Sequence, residues 1–451
     1  MKKTKYPAFI IILAVIISFQ LPVQAQIGKR FPSERKVVTD PVTGTQLTFL
    51  TSTPAGDSKI YQTHNQWTSD GEWLIFRSKR VKGEAMAVNE KSGEIVQVSE
   101  GGYVGMLNVA RKSMKLYFMR KQKADTILKS LEIVEVDLAL LFANSKTGNL
   151  KPASVYQRVC GITPPELEAG GDMALDGDEQ WAWFRVGKDE AQKHLPEGTK
   201  IEENFGPRKM GAGPAGIAGM NIHTGEIKYV VSVPFQIGHI QTNPWIPGQI
   251  IFCWETGGKS PQRSWIVNAD GTGLRPLYPE SDYEWVTHEA VISPDEVAFA
   301  IMGHRKIPNT EGEAAAGTEV KGANPGQEAA WGPSGTREKP TGLGIVNINS
   351  REMTIAGQIP QGSGFWHVSG SADRRFVVGD DFSRSLYLID RKTHEMILLT
   401  TGHKPTAADH PHPTFSPDGT RIEIQSAMLS DDNKSMNICI VPVPEEWLNR
   451  K

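Results

Sequence analysis

Apolar and polar positions alternate along almost the whole chain in short runs, and the runs recur as a unit. A His or small residue opens the unit. A few apolar positions follow, then a turn like Ser416-Pro417-Asp418-Gly419, an alternating apolar strand, a polar loop, a third strand, a turn such as Glu90-Lys91-Ser92-Gly93, and a fourth strand. Alternation with a period of two marks half-buried strands, and β-branched and aromatic residues between Gly, Pro and Asp turns support the same reading. The first clear copy covers 64–78 and 85–98, and a degenerate second covers 104–121 and 134–150, with 110–113 in place of the turn. The third spans 172–186 and 218–233, the fourth 239–255 and 264–277, and the fifth 288–302 and 342–359. The sixth covers 366–380 and 385–399, the seventh 410–426 and 436–443. Copies of a four-stranded unit in this number predict an all-β fold, a seven-bladed β-propeller. The last copy lacks a fourth strand, and 46–52 has the character of the missing one. The pattern therefore predicts that an N-terminal strand closes the ring on the C-terminal blade, removing two exposed sheet edges.

Two stretches break the pattern. Residues 187–214 are charged and Gly-rich, and 306–341 are dominated by Gly, Ala, Glu and Pro. Such composition suits surface loops; a lid over the pocket is the alternative.

The chain opens with Lys2, Lys3 and Lys5, an apolar run over 8–19, and Pro22-Val23-Gln24-Ala25 with small residues at the cleavage positions. This predicts a signal peptide over 1–25, a single propeller domain over 26–451 and a periplasmic location. No later stretch has the roughly eighteen apolar residues of a membrane helix, and no Cys stands near the cleavage point to carry a lipid. A soluble, monomeric mature chain without a membrane span is expected. Cys160, Cys253 and Cys439 are odd in number and far apart, and two have apolar flanks, Phe252-Cys253-Trp254 and Ile438-Cys439-Ile440. Buried free thiols are expected rather than a disulfide framework. The formal charge is −2, which supplies no long-range field to draw nucleic acid or another polyanion. No nucleic-acid partner is expected, and anion recognition has to be local.

The candidate chemistry lies in the histidines. His64, His367 and His412 each stand six residues before the Asp of the following turn, Asp70, Asp373 and Asp418. His288 stands seven before Asp295, His410 two before His412, and His239 opens a similar strand ahead of 244–248. Equivalent positions in radially arranged repeats converge on one axis, so the spacing predicts a ring of imidazoles around one pocket. In His410-Pro411-His412-Pro413 the two rings project from one face of a strand, and the prolines suit its exposed start. His288, in Thr287-His288-Glu289, holds the corresponding place in another blade. Three imidazoles with open positions suit a divalent transition ion such as Mn, Fe or Zn. His239, in Ile237-Gly238-His239-Ile240-Gln241, is a packing residue or, as its place in the ring favours, a general base. His64 and His367 share the geometry and are candidates to bind substrate, with stacking beside Trp366 the alternative for His367. Arg263, in Pro261-Gln262-Arg263-Ser264-Trp265, is either a surface residue or a bidentate carboxylate clamp. There is no Gly-x-Ser-x-Gly elbow, P-loop or dinucleotide fingerprint, so serine hydrolysis and nucleotide chemistry lack support.

Several motifs together resemble the oligogalacturonate lyases. They are Gly28-Lys29-Arg30-Phe31-Pro32-Ser33-Glu34-Arg35 with Thr39-Asp40-Pro41-Val42-Thr43-Gly44, Gly238-His239-Ile240-Gln241 with Phe252-Cys253-Trp254-Glu255, Val286-Thr287-His288-Glu289, and Asp409-His410-Pro411-His412-Pro413. The likeness spans nearly the whole mature chain, in the family's order. It implies a seven-bladed propeller that cleaves short oligogalacturonides, acidic oligosaccharides, by β-elimination with a bound Mn ion. It also implies His239 as the base and His288, His410 and His412 as metal ligands. Two positions depart from the family: its Gln ligand three residues before the His pair is Ala407 here, and an Arg expected before His239 falls within the Gly-rich run 211–219. The expected consequences are fewer protein ligands and a different grip on the substrate carboxylate. The runner-up is a non-enzymatic periplasmic propeller that binds a protein or glycan, since propellers host both roles. A lyase for a different acidic sugar is the third reading.

Overall fold

The computed structural model describes residues 26–122, 130–258, 260–281, 284–302, 341–359 and 364–450. The expected signal peptide over 1–25 lies outside the described residues, as does the insert over 306–341 apart from Thr341.

Seven antiparallel sheets form a seven-bladed propeller. The first strands of the sheets in ring order, Ser58–Lys59, Val104–Val109, Met173–Leu175, Ile237–Thr242, Trp285–Ser293, Phe365–Gly370 and Thr414–Phe415, position the site. Strands buried on both faces read as nearly continuous apolar runs. Val297, Ala298, Phe299, Ala300 and Ile301, for example, are all fully buried. The cores lie between neighbouring sheets, as where Ile251 and Ile266 of the fourth blade pack with Val286, Val297 and Phe299 of the fifth. The repeating turn has a local cause: the hydroxyls of Thr68, Ser371 and Ser416 donate to Asp70, Asp373 and Asp418 at 2.5, 2.5 and 2.6 Å, a side-chain closure that favours a turn.

Two early segments join sheets of the ring. Arg30–Phe31 pairs with Ile95–Gln97 of the first blade. Gln46–Phe49 pairs with Asn437–Pro442 of the seventh through Thr48 to Ile440 and Phe49 to Cys439, and Lys36–Thr39 lies outside it. Leu47 and Phe49 are buried there against Phe415, Ile422 and Ile424.

The second blade departs from the expected strand layout. Its third strand is Leu131–Asp137, and the apolar residues that follow form the helix Leu138–Thr147 instead of continuing as strand to residue 150. Asp137 accepts the Leu140 amide as an N-cap, and Gly148 at φ 70° ends the helix, so capping chemistry settles what an apolar run leaves ambiguous. The fourth strand is Gln157–Ile162. The insert over 187–214 contains the helix Lys188–Lys193, and its last residues already belong to the strand Ala212–Asn221. Cys160, Cys253 and Cys439 are buried and unpaired. No helix among the described residues is long and apolar enough to cross a membrane.

Candidate functional site

Histidines at equivalent places share a backbone irregularity. Strand pairing shifts between Gly238 and Gln241 and between Thr287 and Ala290, and inside these bulges His239 and His288 adopt left-handed backbone at φ 50° and 55°. His412, just ahead of the last inner strand, does the same at φ 51°. Left-handed backbone costs a β-carbon-bearing residue about 1–2 kcal/mol, and a bulge re-aims the side chain it carries. Such strain clusters where surrounding structure holds a functional group. A third bulge, between Phe365 and Val368, carries Trp366 and His367.

These residues open on a cavity of about 410 Å³. Of the residues singled out from the sequence, His239, His288, His367, His412 and Arg263 line it, joined by Tyr61, Glu255, Trp285 and Asp409. His410 is not among the residues that line it. His64 is elsewhere: its Nε2 meets the Met173 carbonyl at 2.9 Å, and it lines a separate small cavity with Asn108 and Asp176. Burial lowers its pKa to about 4.

On one side of the pocket each imidazole has Nδ1 engaged. His288 Nδ1 meets Thr287 Oγ1 at 3.2 Å, and His412 Nδ1 meets Gln62 Oε1 at 2.8 Å. Asp380 Oδ2 takes Nδ1 of His410 at 2.9 Å and of His367 at 3.4 Å. A carboxylate or amide oxygen accepting at Nδ1 fixes the tautomer of His367, His410 and His412 and leaves the lone pair on Nε2, whereas the Thr287 hydroxyl can donate to or accept from His288. The His367 ring stacks on His412 with centroids 3.7 Å apart and lies 4.2 Å from His288. Burial, reinforced by the neighbouring imidazoles, holds His288 and His367 well below the usual range, so both are neutral at neutral pH. Among the described residues, two groups of three donors lie within 4.8 Å of one another: His367 with Asp380 and His410, and His239 with Cys253 and Glu255. His288 and His412 stand on the wall beside the first group.

The other side is charged. His239 Nε2 lies 3.3 Å from Glu255 Oε2, and its buried Nδ1 has no hydrogen-bond partner among the described residues. Gly238 permits this approach, because a β-carbon there would sit 2.7 Å from Glu255 Cβ. Burial raises the Glu255 carboxyl, but the Arg263 and His239 charges and the Gly257 amide outweigh it and hold it below its usual range. Arg263 is only 3% exposed, which excludes the surface reading. Its Nε is 3.1 Å from Glu289 Oε2 and its Nη2 3.9 Å from Glu255 Oε2, so two carboxylates already share its charge. Asp409, 3.1 Å from His412 Nε2, adds another. Two carboxylates thus share the one guanidinium while Asp409 lines the pocket beside His412, and an anionic ligand needs a further cation here.

Ala407 packs with Ala427 and Met436 and brings no side-chain donor. The run over 211–219 lies in the buried strand Ala212–Asn221; Arg185 of the same sheet donates to the Ile237 carbonyl at 3.4 Å and pairs with Asp172 at 3.5 Å. Residue-by-residue reading passed over Tyr61, Gln62 and Asp380. Tyr61, edge-on to His239 and His412 at 4.8 and 5.1 Å, comes from irregular chain with no periodic signal. Asp380 had one: a carboxylate ending the otherwise apolar Phe376–Asp381.

No protein-family model and no curated protein matches the sequence. The fold is a propeller of a kind seen in solved structures. A structure of an oligogalacturonate lyase in complex with manganese matches with TM-score 0.68, over 94% of this chain and 100% of its own, at 18% identity. An oligogalacturonate lyase from Vibrio parahaemolyticus matches with TM-score 0.67, over the same shares and at 18% identity. At such identity the likeness is one of fold.

Proposed function

We propose that this protein is a metal-assisted lyase that cleaves short uronic-acid oligosaccharides, such as oligogalacturonides, by β-elimination in the periplasm. The observation that carries the reading is a cluster of imidazoles beside a pocket lined by more carboxylates than cations: His288 and His367 are held neutral by burial, and His367 and His410 are bonded to Asp380 through Nδ1, which leaves Nε2 to coordinate. The donors of His367, Asp380 and His410, within 4.8 Å of one another, fit a divalent ion at this wall, and His288, His410 and His412 are the residues proposed to hold it. The manganese complex of a similar structure supports Mn²⁺ as its identity. When bound, the ion neutralises the substrate carboxylate and so acidifies the proton on the adjacent C5.

His239 takes that proton. Glu255, 3.3 Å from Nε2, stabilises the imidazolium that results. The C5–H electrons become the C4–C5 double bond, the C4–O bond breaks, and its oxygen leaves with the rest of the chain. Arg263 keeps Glu255 ionised and, with His367, lies within the pocket where the substrate carboxylate binds. His64 orders the contact between the first and third blades outside it.

Incubation with a panel of uronate oligosaccharides tests this by the ultraviolet absorbance of the unsaturated product, with and without chelator. The expected result is product from oligogalacturonides that chelator abolishes and Mn²⁺ restores. Product from another uronate alone changes the substrate. No product from any of them leaves a binding propeller, and product insensitive to chelator removes the metal.

A further inference from the structure

Asp380 is fully buried at the end of the strand Phe376–Asp381 and does not line the cavity. Its Oδ1 accepts the backbone N–H of His367 at 2.8 Å, and its Oδ2 accepts from Nδ1 of His410 at 2.9 Å and of His367 at 3.4 Å. One carboxylate thus ties together imidazoles from the sixth blade and from the segment leading into the seventh. With three donors on two oxygens and the wall between it and the pocket, it is placed to orient ligands and not to be one. A carboxylate behind a histidine fixes the tautomer, sets the ring plane and makes the free nitrogen more basic.

His367 is the second half of the arrangement. It lines the cavity, its ring lies against His412 and His288, and with Nδ1 held by Asp380 the lone pair it can offer is on Nε2. Ala407 offers nothing of the kind. We propose that His367 is a fourth imidazole ligand of the divalent ion, in the place that Ala407 leaves empty, and that Asp380 is a positioning residue shared by His367 and His410. This deepens the metal-assisted reading and rests on it.

The test measures metal and not turnover. Equilibrium dialysis of the whole protein against Mn²⁺, and the visible spectrum of its Co²⁺-loaded form, are compared for the wild type, Asp380→Asn and His367→Gln. Asp380→Asn should weaken Mn²⁺ binding by roughly 10–100-fold, as loss of such a partner does, and leave the cobalt bands in place because the coordinating atoms are unchanged. His367→Gln should weaken binding and also shift the bands; being measured independently, it keeps the inference testable if Asp380→Asn does not fold. A wild type that binds no Mn²⁺ sinks the metal reading and this inference together. Wild-type binding with unchanged affinity in both variants leaves the metal reading standing and overturns this one. Cobalt bands that move in Asp380→Asn make Asp380 a ligand itself and overturn its positioning role.

Discussion

At the fourth-blade side of the pocket His239 faces the Glu255 carboxylate across 3.3 Å with, among the described residues, no partner at Nδ1, whereas at the sixth blade His367 and the nearby His410 share Asp380 through Nδ1. The same residue type, at equivalent places and in part with the same left-handed backbone, is therefore prepared for opposite tasks. Beside an ionised carboxylate, an imidazole gains stability by taking up a proton. Bonded to Asp380 at Nδ1, an imidazole is fixed in the tautomer that offers its lone pair at Nε2, and burial among other imidazoles holds His367 neutral. What separates a base from a ligand here is the neighbour, and the neighbour comes from a different strand.

The comparison breaks most completely through the ligand wall. His410→Ala/His412→Ala is expected to lose its divalent ion and its turnover together; equal metal content by elemental analysis of variant and wild type would remove the assignment. His239→Ala should keep fold and metal while losing about 10²–10⁴-fold in turnover, the usual contribution of a general base. Product formed per folded, metal-loaded molecule is the measure, and a parallel fall in stability and activity would make His239 a packing residue instead.

Arg263→Met sharpens the charged wall. Removing one partner of a buried pair strands Glu289, which is 0% exposed, and should cost about 3–5 kcal/mol in denaturant unfolding. A loss under about 1 kcal/mol with a raised KM would make Arg263 chiefly a substrate clamp. The smallest effect concerns histidines outside both walls. Burial lowers His64 and His403 to about 4. In the unfolded chain they titrate near 6.5, so the folded state binds fewer protons below that value. Their contribution is fully present above pH 6.5 or so and is lost as pH falls toward 4, at up to about 1.4 kcal/mol per pH unit for each. Asp381 and Glu423, which burial raises to about 6 and about 7, contribute with the opposite sign in this window, so the test is the difference between variant and wild type: His403→Gln should lower the slope of the unfolding free energy of the metal-free protein against pH, and a variant slope equal to the wild type's would show that this ring titrates normally.

Sequence alone determined the repeat number, most of the strand layout and the places of the pocket histidines. All three depend on local chemistry: period-two apolar runs, Ser/Thr-x-Asp turns and a similar, six- to eight-residue, spacing from most of these histidines to the next turn. It failed where the local signal was ambiguous, as at Leu138–Thr147, where a cap at Asp137 made a helix of an apolar run. It also placed His64 in the ring, whereas blade packing turned that side chain to the Met173 carbonyl. The partners that set chemistry were decided by the tertiary structure alone. Asp380 stands 13 residues from His367 and 30 from His410, and Glu289 stands 26 from Arg263. A hydrogen bond or a buried charge pair needs contact within a few ångströms, and it is strand pairing within the sixth blade for Asp380 and His367, and the packing of one blade against the next for the other two pairs, that brings them to that distance.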